Sequence, residues 1–210
     1  MVSTLEYIAS KFELDLGRPS PIEIYKINRV IMAQTLSELG CKVGAEIGVQ
    51  RGIHAEILCK NNPGLHLYCV DVWEPTWVLE ENAEQNAAYY AEAQQRLSPY
   101  NCTFIKKYSQ DALSDFRDCS LDFVYIDAGH DFYDVAMDIS GWQEKIKPGG
   151  ILFGHDYKRH VTPIFHHSVV DVVSAYTNAY HIKPWFILGT RGRSDGMYRE
   201  GTRAWMWVVN

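Results

Sequence analysis

Residues 42–52 read Lys42-Val43-Gly44-Ala45-Glu46-Ile47-Gly48-Val49-Gln50-Arg51-Gly52, and this stretch decides the fold. Its first half, residues 42–47, is short, apolar and β-prone, as expected of a buried strand. Gly48 and Gly52 then interrupt the apolar run, and the residues after Gly52 have the character of a helix start. Glycine lets a backbone approach a ligand closely, and the free N–H groups of a first helical turn can bind its polar atoms. The stretch predicts a ligand-binding strand-turn-helix unit, with an ordinary turn as the alternative.

The spacing of this stretch indicates which ligand the turn can bind. Glu46-x-Gly48-x-x-x-Gly52 differs from the Gly-x-Gly-x-x-Gly pattern of dinucleotide-binding folds. A carboxylate at the end of the strand would repel a pyrophosphate, but it suits a cationic ligand. S-adenosylmethionine carries a sulfonium and an amino group and no phosphate. We therefore expect Glu46, Gly48 and Gly52 to belong to a site for S-adenosylmethionine.

Three further side chains are predicted to line this cofactor site. Asp71 ends the second predicted strand, where doubly wound folds place the acid that binds the two hydroxyls of a ribose. Trp73 follows it closely and would either cover the adenine or ribose or pack in the core. Ser109 opens a helix after the third predicted strand, where it can cap that helix and also border the adenine.

Composition fits one globular domain and disfavours several classes of function. The chain has 210 residues, 47% of them hydrophobic, and a formal net charge of −6, which does not favour sequence-independent nucleic-acid binding. Its five cysteines form no CxxC pair, and no apolar run approaches the roughly 20 residues that cross a bilayer. Together with the lack of a signal peptide, these features predict a cytoplasmic protein without membrane association.

Apolar strands alternate with helical segments along most of the chain. The predicted strands are residues 42–47, 65–70, 102–106, 121–127, 151–154, 184–189 and 203–209, and the predicted helices include residues 52–60 and 80–97. This order predicts an α/β fold, a Rossmann-like, seven-stranded, mostly parallel sheet with helices on both faces and an antiparallel C-terminal hairpin strand. Residues 1–40 are predicted to form an N-terminal helical cap or half of a homodimer contact, and residues 41–210 the main domain of a single globular unit.

The order of these acids and glycines resembles the class I S-adenosylmethionine-dependent methyltransferases. The resemblance covers residues 40–209 and is closest to the small-molecule and sugar O-methyltransferases. It rests on Glu46-x-Gly48-x-x-x-Gly52, Asp71, Tyr125-Ile126-Asp127-Ala128-Gly129-His130, Lys147-Pro148-Gly149-Gly150 and Gly154-His155-Asp156-Tyr157. It implies S-adenosylmethionine as the cofactor, with Asp127 as a further cofactor-binding residue.

Acids and histidines follow the fourth and fifth predicted strands, where the cofactor crevice is expected. In one mechanism His130 or His155, beside Asp127, removes the proton of an acceptor hydroxyl as general base. His130 stands at the offset where catechol-type methyltransferases carry a lysine base. In the other mechanism Asp127 and Asp156, with His155, hold a divalent metal that lowers the pKa of the acceptor hydroxyl.

Two departures from the related metal-dependent sugar methyltransferases favour the histidine mechanism. Those enzymes carry a pair of acids where this chain has His155-Asp156, and an acidic base where it has Gly129. A histidine in place of an acid removes a hard oxygen ligand, which disfavours Mg²⁺. His160, His166 and His167 are expected to be solvated loop residues rather than ligands.

The expected acceptor is a small hydroxylated molecule, with a sugar or glycan as the first choice because Tyr157, Trp185 and Trp73 can offer aromatic faces. The loop at residues 191–196 is predicted to be a lid over the acceptor or a plain hairpin tip. An N-methyltransferase or a phenolic O-methyltransferase would share the cofactor motifs. A non-catalytic module that binds the cofactor or a partner protein is a third alternative. A nucleic-acid methyltransferase is disfavoured by the charge and by the lack of an Asn/Asp-Pro-Pro-Tyr/Phe motif.

Overall fold

An eight-stranded sheet forms the centre of the computed structural model, which describes residues 2–75, 82–161, 166–190 and 202–210. Its strands are β1 (Ile22–Ile24), β2 (Val43–Ile47), β3 (His66–Asp71), β4 (Cys102–Lys106), β5 (Leu121–Ile126), β6 (Ile146–Gly154), β9 (Trp185–Leu188) and β10 (Ala204–Val208). Strands β7 (His160–Val161) and β8 (His166–His167) form a separate short hairpin. The strand order across the large sheet is β1-β9-β10-β6-β5-β2-β3-β4.

All neighbouring strands of the large sheet are parallel except at β10, which runs antiparallel between β6 and β9. The seven predicted strands correspond to β2, β3, β4, β5, β6, β9 and β10. The predicted fold class, including the antiparallel C-terminal strand, is therefore confirmed. The largest difference in a boundary is at β6, which begins at Ile146, five residues before the predicted strand at residues 151–154.

An eighth strand, β1, was not predicted. It has only three residues, Ile22-Glu23-Ile24, which is too short for a periodic pattern to show. Both isoleucines are buried, and the strand pairs in parallel with β9 at the edge of the sheet. The segment before residue 41 thus holds a strand as well as helices, and the division at residue 40 stays a prediction.

Helices cover both faces of the sheet. They are α1 (Thr4–Lys11), α2 (Arg29–Glu38), α3 (Ile53–Asn61), α4 (Ala83–Leu97), α5 (Ser109–Ala112), α6 (Phe132–Lys145) and α7 (Val169–Ala179). Buried residues of α1 to α4 share one hydrophobic cluster with Phe123, Tyr125 and Phe153 of the sheet. Buried residues of α5 to α7 share a second cluster with Val124 and Leu152, whose side chains point to the opposite face.

The C-terminal ends of β2, β3, β5 and β6 meet at one edge of the sheet, because these strands are parallel neighbours. The glycine turn follows β2, Asp71 ends β3, and the predicted catalytic residues follow β5 and β6. The fold thus brings the predicted site residues to the same edge. None of the helices in the described ranges is both long and apolar enough to cross a membrane.

Candidate active site

The turn between β2 and α3 has the close-packed backbone that its glycines predict. Gly48 has a φ of 89° and Gly52 a φ of 73°, both in the left-handed region. A Cβ at Gly48 would lie 2.1 Å from the carbonyl oxygen of Asp127, so the ends of β2 and β5 are in direct contact. Gly52 is the N-cap residue of α3 and provides no side-chain cap. The N–H groups of the first turn of α3 are therefore available to a ligand.

Glu46 lies below the surface of this turn. Its side chain is 2% exposed, and its Oε2 is 3.5 Å from Nδ1 of His54, which is 6% exposed. Burial raises the pKa of the Glu46 carboxyl, and the nearby His54 partly opposes this shift. The His54 ring also packs on Tyr125, with ring centroids 4.0 Å apart. Glu46 therefore lies inside the protein next to His54 rather than at an open surface.

Asp71 holds the backbone around the glycine turn with both of its oxygens. Oδ2 accepts the N–H of Gln50 at 2.8 Å, and Oδ1 accepts the N–H of Trp73 at 2.9 Å. Each oxygen keeps a second lone pair that can accept a ribose hydroxyl. Trp73 is 3% exposed, donates its indole N–H to the carbonyl of Gln50 and packs on Tyr90. The structure thus places Trp73 as a packing residue that supports the turn.

Ser109 does not cap α5, contrary to one expectation from the sequence. Tyr108 is the N-cap residue, and the hydroxyl of Ser109 donates to Asp138 and accepts the indole N–H of Trp142 at 2.8 Å. Gln110 also donates to Asp138, at 2.7 Å. Asp138 is 2% exposed, and this burial raises its pKa to about 7, although the two hydrogen bonds by themselves would lower it. The side chain of Ser109 is therefore engaged with α6, a contact that the sequence did not reveal.

Four of the predicted residues meet where β5 and β6 end. His130 Nε2 lies 3.5 Å from Oδ1 of Asp127 and 3.2 Å from Oδ2 of Asp156. His155 Nδ1 lies 3.3 Å from Oδ1 of Asp156 and 3.8 Å from Oδ2 of Asp127. Asp156 has a φ of 52°, an uncommon conformation outside glycine that is found at functional sites. The carboxylates and histidines of the two proposed mechanisms therefore lie in one place.

His167 joins this group from the β7–β8 hairpin. Its Nε2 lies 3.4 Å from Oδ2 of Asp156, and its ring stacks on that of His130 with centroids 4.6 Å apart and an interplanar angle of 14°. The expectation that His167 is a solvated residue was wrong, because it is 5% exposed, whereas His160 and His166 are exposed. We call the five side chains the strand-end cluster: Asp127, His130, His155, Asp156 and His167.

The charges in the strand-end cluster favour ionised carboxylates. Burial by itself would raise the pKa of Asp127, but the contact with His130 and the charge of His155 bring it below its usual value. The pKa of Asp156 is lowered further, because hydrogen bonding to His155 and Thr202 outweighs its burial. Burial lowers the pKa of His167, and the neighbouring His130 adds to this shift. The cluster therefore presents two anionic carboxylates to a cation or to a protonated imidazole.

Arg29, at the start of α2, reaches the strand-end cluster from the N-terminal segment. One of its guanidinium nitrogens lies 3.2 Å from Nε2 of His155. Because a guanidinium can only donate, Nε2 must accept, and a neutral His155 then carries its proton on Nδ1, facing Asp156. Thr202 lies near both ring nitrogens and donates to Oδ1 of Asp156. Arg29 thus fixes the orientation of His155.

Two sets of three side chains in the cluster could hold a metal ion. Asp127, His155 and Asp156 form one set, and His130, Asp156 and His167 form the other. In each set the ligand atoms all lie within 4.8 Å of one another. The predicted metal ligands Asp127 and Asp156 thus occur together in the first set, and Asp156 belongs to both.

A small pocket opens beside His155 on the face covered by α2 and α3. Its polar lining includes Asn28, Arg29, Thr190 and Thr202, and its apolar lining includes Ile27, Met32, Phe153 and Leu188. The pocket therefore joins the strand-end cluster to the N-terminal segment.

A family match identifies the fold. The model of a family described as a methyltransferase domain matches residues 45–157, just over half of the 210 residues. The chain belongs to this methyltransferase family. The matched region runs from β2 to the residue after Asp156, so it contains the glycine turn, Asp71 and all of the strand-end cluster except His167.

Solved structures share the fold of this methyltransferase at low sequence identity. An O-methyltransferase from Bacillus cereus in complex with S-adenosylhomocysteine has a TM-score of 0.60 and 14% identity, covering 99% of this chain and 89% of that chain. The O-methyltransferase TomG from Streptomyces achromogenes, in complex with S-adenosylmethionine, has a TM-score of 0.59 and 15% identity over 96% and 86% of the two chains. An rRNA methylase from Streptococcus thermophilus has a TM-score of 0.59 and 12% identity over 88% and 98%. The prediction of a class I methyltransferase is confirmed.

A curated relative is the uncharacterized protein y4gI of Sinorhizobium fredii, which is 22% identical over 122 residues. The match covers 55% of this chain and only 12% of that protein. The methyltransferase therefore spans about an eighth of the length of this relative.

Sequence reasoning missed several residues of the site. Arg29 and His54 contribute side chains that were not predicted, and His167, which was expected to be solvated, contributes a third. The predicted lid at residues 191–196 lies outside the described residues. The cofactor-binding and catalytic roles of the predicted residues stay predictions, although the structure brings them to one edge of the sheet.

Proposed function

We propose that this methyltransferase transfers a methyl group from S-adenosylmethionine to a hydroxyl of a small acceptor. The observation that supports the proposal is the backbone contact between Gly48 and Asp127, because it joins the glycine turn after β2 to the strand-end cluster. Methyl transfer from a sulfonium is an in-line displacement, which mainly requires that the two reactants be aligned. Adjacent sites for donor and acceptor provide this alignment.

The cofactor side of the proposal uses the turn and its supporting residues. Asp71 binds the ribose hydroxyls, and Gly48 and Gly52 let the backbone approach the cofactor. Asp127 provides negative charge near the sulfonium and the amino group, whereas the buried Glu46, whose pKa is raised, acts through its contact with His54. Trp73 and Ser109 act mainly by holding the turn and α5 in place. The complexes from Bacillus cereus and Streptomyces achromogenes support this choice of cofactor.

The acceptor side uses the strand-end cluster. The acceptor oxygen attacks the methyl carbon, the carbon–sulfur bond breaks, and the hydroxyl proton passes to Nε2 of His130, leaving a methyl ether and S-adenosylhomocysteine. Asp127 and Asp156 attract the imidazolium that forms, and His155 is the second candidate base. If Asp127, Asp156 and His155 held a divalent cation, that ion would lower the pKa of the acceptor hydroxyl.

A sugar or glycan hydroxyl is our first choice of acceptor. The polar side chains that line the pocket, Asn28, Arg29, Thr190 and Thr202, suit a molecule with many hydroxyls. The aromatic side chains that were expected to pack on a sugar do not support this choice, because Trp73, Tyr157 and Trp185 are each less than 10% exposed. Amines, phenols and RNA are the rival acceptors, and the rRNA methylase among the structural neighbours makes RNA worth testing.

Calorimetric titration with S-adenosylhomocysteine tests the cofactor site. We expect micromolar binding by the wild type and at least a tenfold loss in Asp71→Asn, because one oxygen becomes an amide that faces a backbone N–H. Asp111→Asn is the matched control, since Asp111 is an exposed acid after β4 at the same edge of the sheet. No binding by the wild type would refute the proposed function.

Radiolabelled methyl transfer to a panel of acceptors tests the reaction. The panel contains free and nucleotide-linked sugars, catechols, primary amines and an RNA transcript. With the acceptor found, His130→Ala should lower kcat by about 10²–10⁴-fold without changing affinity for S-adenosylhomocysteine. Normal cofactor affinity without transfer to any acceptor would favour the non-catalytic alternative. Light scattering on the same samples tests the predicted homodimer.

A further inference from the structure

Two imidazole nitrogens in the strand-end cluster converge on one carboxylate oxygen. Nε2 of His130 and Nε2 of His167 lie 3.2 Å and 3.4 Å from Oδ2 of Asp156. The three residues come from separate segments: the loop before α6, strand β8 and the loop after β6. Their ligand atoms all lie within 4.8 Å of one another.

The contact between His130 and Asp156 is not explained by hydrogen bonding. Nε2 of His130 is buried and, among the described residues, has no hydrogen bond of acceptable geometry, although two carboxylate oxygens lie near it. Two ligands of one ion, with bonds of roughly 2.1 Å and angles between tetrahedral and octahedral values, lie about 3.0–3.4 Å apart. The two measured separations from Oδ2 of Asp156 fall in this range.

Arg29 disfavours the other potential metal set. The guanidinium donates toward Nε2 of His155, so a neutral His155 carries a proton on Nδ1. Nδ1 is the nitrogen that faces Asp127 and Asp156, and a protonated nitrogen cannot bind a metal. Asp127 and Asp156 are then left without their third ligand.

We infer that His130, His167 and Asp156 bind a divalent transition-metal ion such as Zn²⁺, Co²⁺ or Mn²⁺. Imidazole ligands suit these ions, whereas Mg²⁺ prefers oxygen ligands. Three protein ligands leave an open coordination position that can accept an oxygen of the acceptor. The role of the ion in methyl transfer rests on the proposed function: with the ion bound to Nε2 of His130, the ion would lower the pKa of the acceptor hydroxyl, and the proton would pass to water instead of to His130. Binding of the ion itself does not depend on that function.

Titration of EDTA-treated, dialysed protein with Co²⁺ tests the inference without cofactor or acceptor. We expect one strong site per chain, with Mg²⁺ bound at least 100-fold more weakly. His130→Ala and His167→Ala should each weaken Co²⁺ binding at least 100-fold. His155→Gln keeps an N–H donor toward Asp156, so it should weaken Co²⁺ binding by no more than about tenfold, as expected of a residue that only orients a ligand. His166→Ala is the matched control, because His166 is the exposed neighbour of His167 in β8 and its loss should leave Co²⁺ affinity unchanged.

The NMR spectrum of the Co²⁺-loaded wild type provides a test that does not depend on whether the variants fold. Two paramagnetically shifted imidazole N–H resonances are expected, one from each histidine ligand. Observation of one such resonance, or of none, would overturn the inference. The absence of Co²⁺ binding would also overturn it, as would a larger loss of Co²⁺ affinity in His155→Gln than in His167→Ala. Titration of the same samples with S-adenosylhomocysteine separates this failure from a failure of the proposed function.

Discussion

At the scale of single residues, Gly48 connects the glycine turn after β2 to the strand-end cluster. Gly48→Ala would put a Cβ against the carbonyl of Asp127 in a left-handed conformation. We expect it to lower the free energy of unfolding by more than the roughly 1–2 kcal/mol of left-handed strain alone and to weaken binding of S-adenosylhomocysteine. Urea denaturation and calorimetry measure the two effects.

Gly40 provides the matched control for this substitution. It also has a left-handed φ, of 78°, but a Cβ there would meet no atom within 4 Å. Gly40→Ala should therefore cost only the conformational strain and leave the affinity for S-adenosylhomocysteine unchanged. Equal effects of the two substitutions would contradict the role given to the Gly48–Asp127 contact.

Some residues of the site could be predicted from the sequence and others could not. Asp71 and Asp127 were found because each directly ends an apolar run, and a parallel sheet brings strand ends together. Arg29 was missed, and His167 was wrongly expected to be solvated, because their contacts depend on how distant segments pack. Arg29 and His155, for example, are 126 residues apart. Local periodicity carries no information on such a contact.

At the scale of elements, Asp138 joins α6 to α5 through Ser109 and Gln110. Its pKa is about 7 in the folded protein and about 3.9 in an unfolded chain. Between these values the folded protein keeps a proton that the unfolded chain releases, so the contribution of Asp138 to stability falls as the pH rises, by at most about 1.4 kcal/mol per pH unit.

Asp138→Asn should remove this pH dependence. The asparagine oxygen can still accept from Ser109 and Gln110, but the side chain does not titrate. We therefore expect the free energy of unfolding of the variant, relative to wild type, to increase from pH 4 to pH 7 in urea denaturation. Asp111→Asn, at an exposed acid of α5, is the control. Parallel stability curves for wild type and Asp138→Asn would show that Asp138 does not titrate in this range.

The elements that the sequence predicted share a property that β1 lacks. Strands β2 and β5 are mostly apolar runs with clear ends, whereas β1 offers three residues next to Pro21. Its place in the sheet depends on pairing with β9, which no local pattern can show. Short edge strands of this kind are determined by the tertiary structure.

At the scale of the whole molecule, the N-terminal segment packs as part of the main core. Leu36 of α2 is fully buried in the cluster that also contains Tyr125 and Phe153. Leu36→Ala should lower the free energy of unfolding by about 2–5 kcal/mol, because it leaves a cavity in that core. Val30→Ala, at a position of the same helix that is 41% exposed, should change it by no more than about 0.5 kcal/mol. Similar values for the two variants would indicate that α2 is a loosely attached cap.

The position of β10 has a consequence for how the protein folds while it is being synthesised. A ribosome synthesises β10 after all the other strands, yet β10 lies between β6 and β9. Until it emerges, the pair formed by β9 and β1 has no partner strand through which to join the rest of the sheet. The nascent chain therefore holds two incomplete halves with exposed edges, and a ribosome-stalled chain that ends before Ala204 would be a natural client of chaperones.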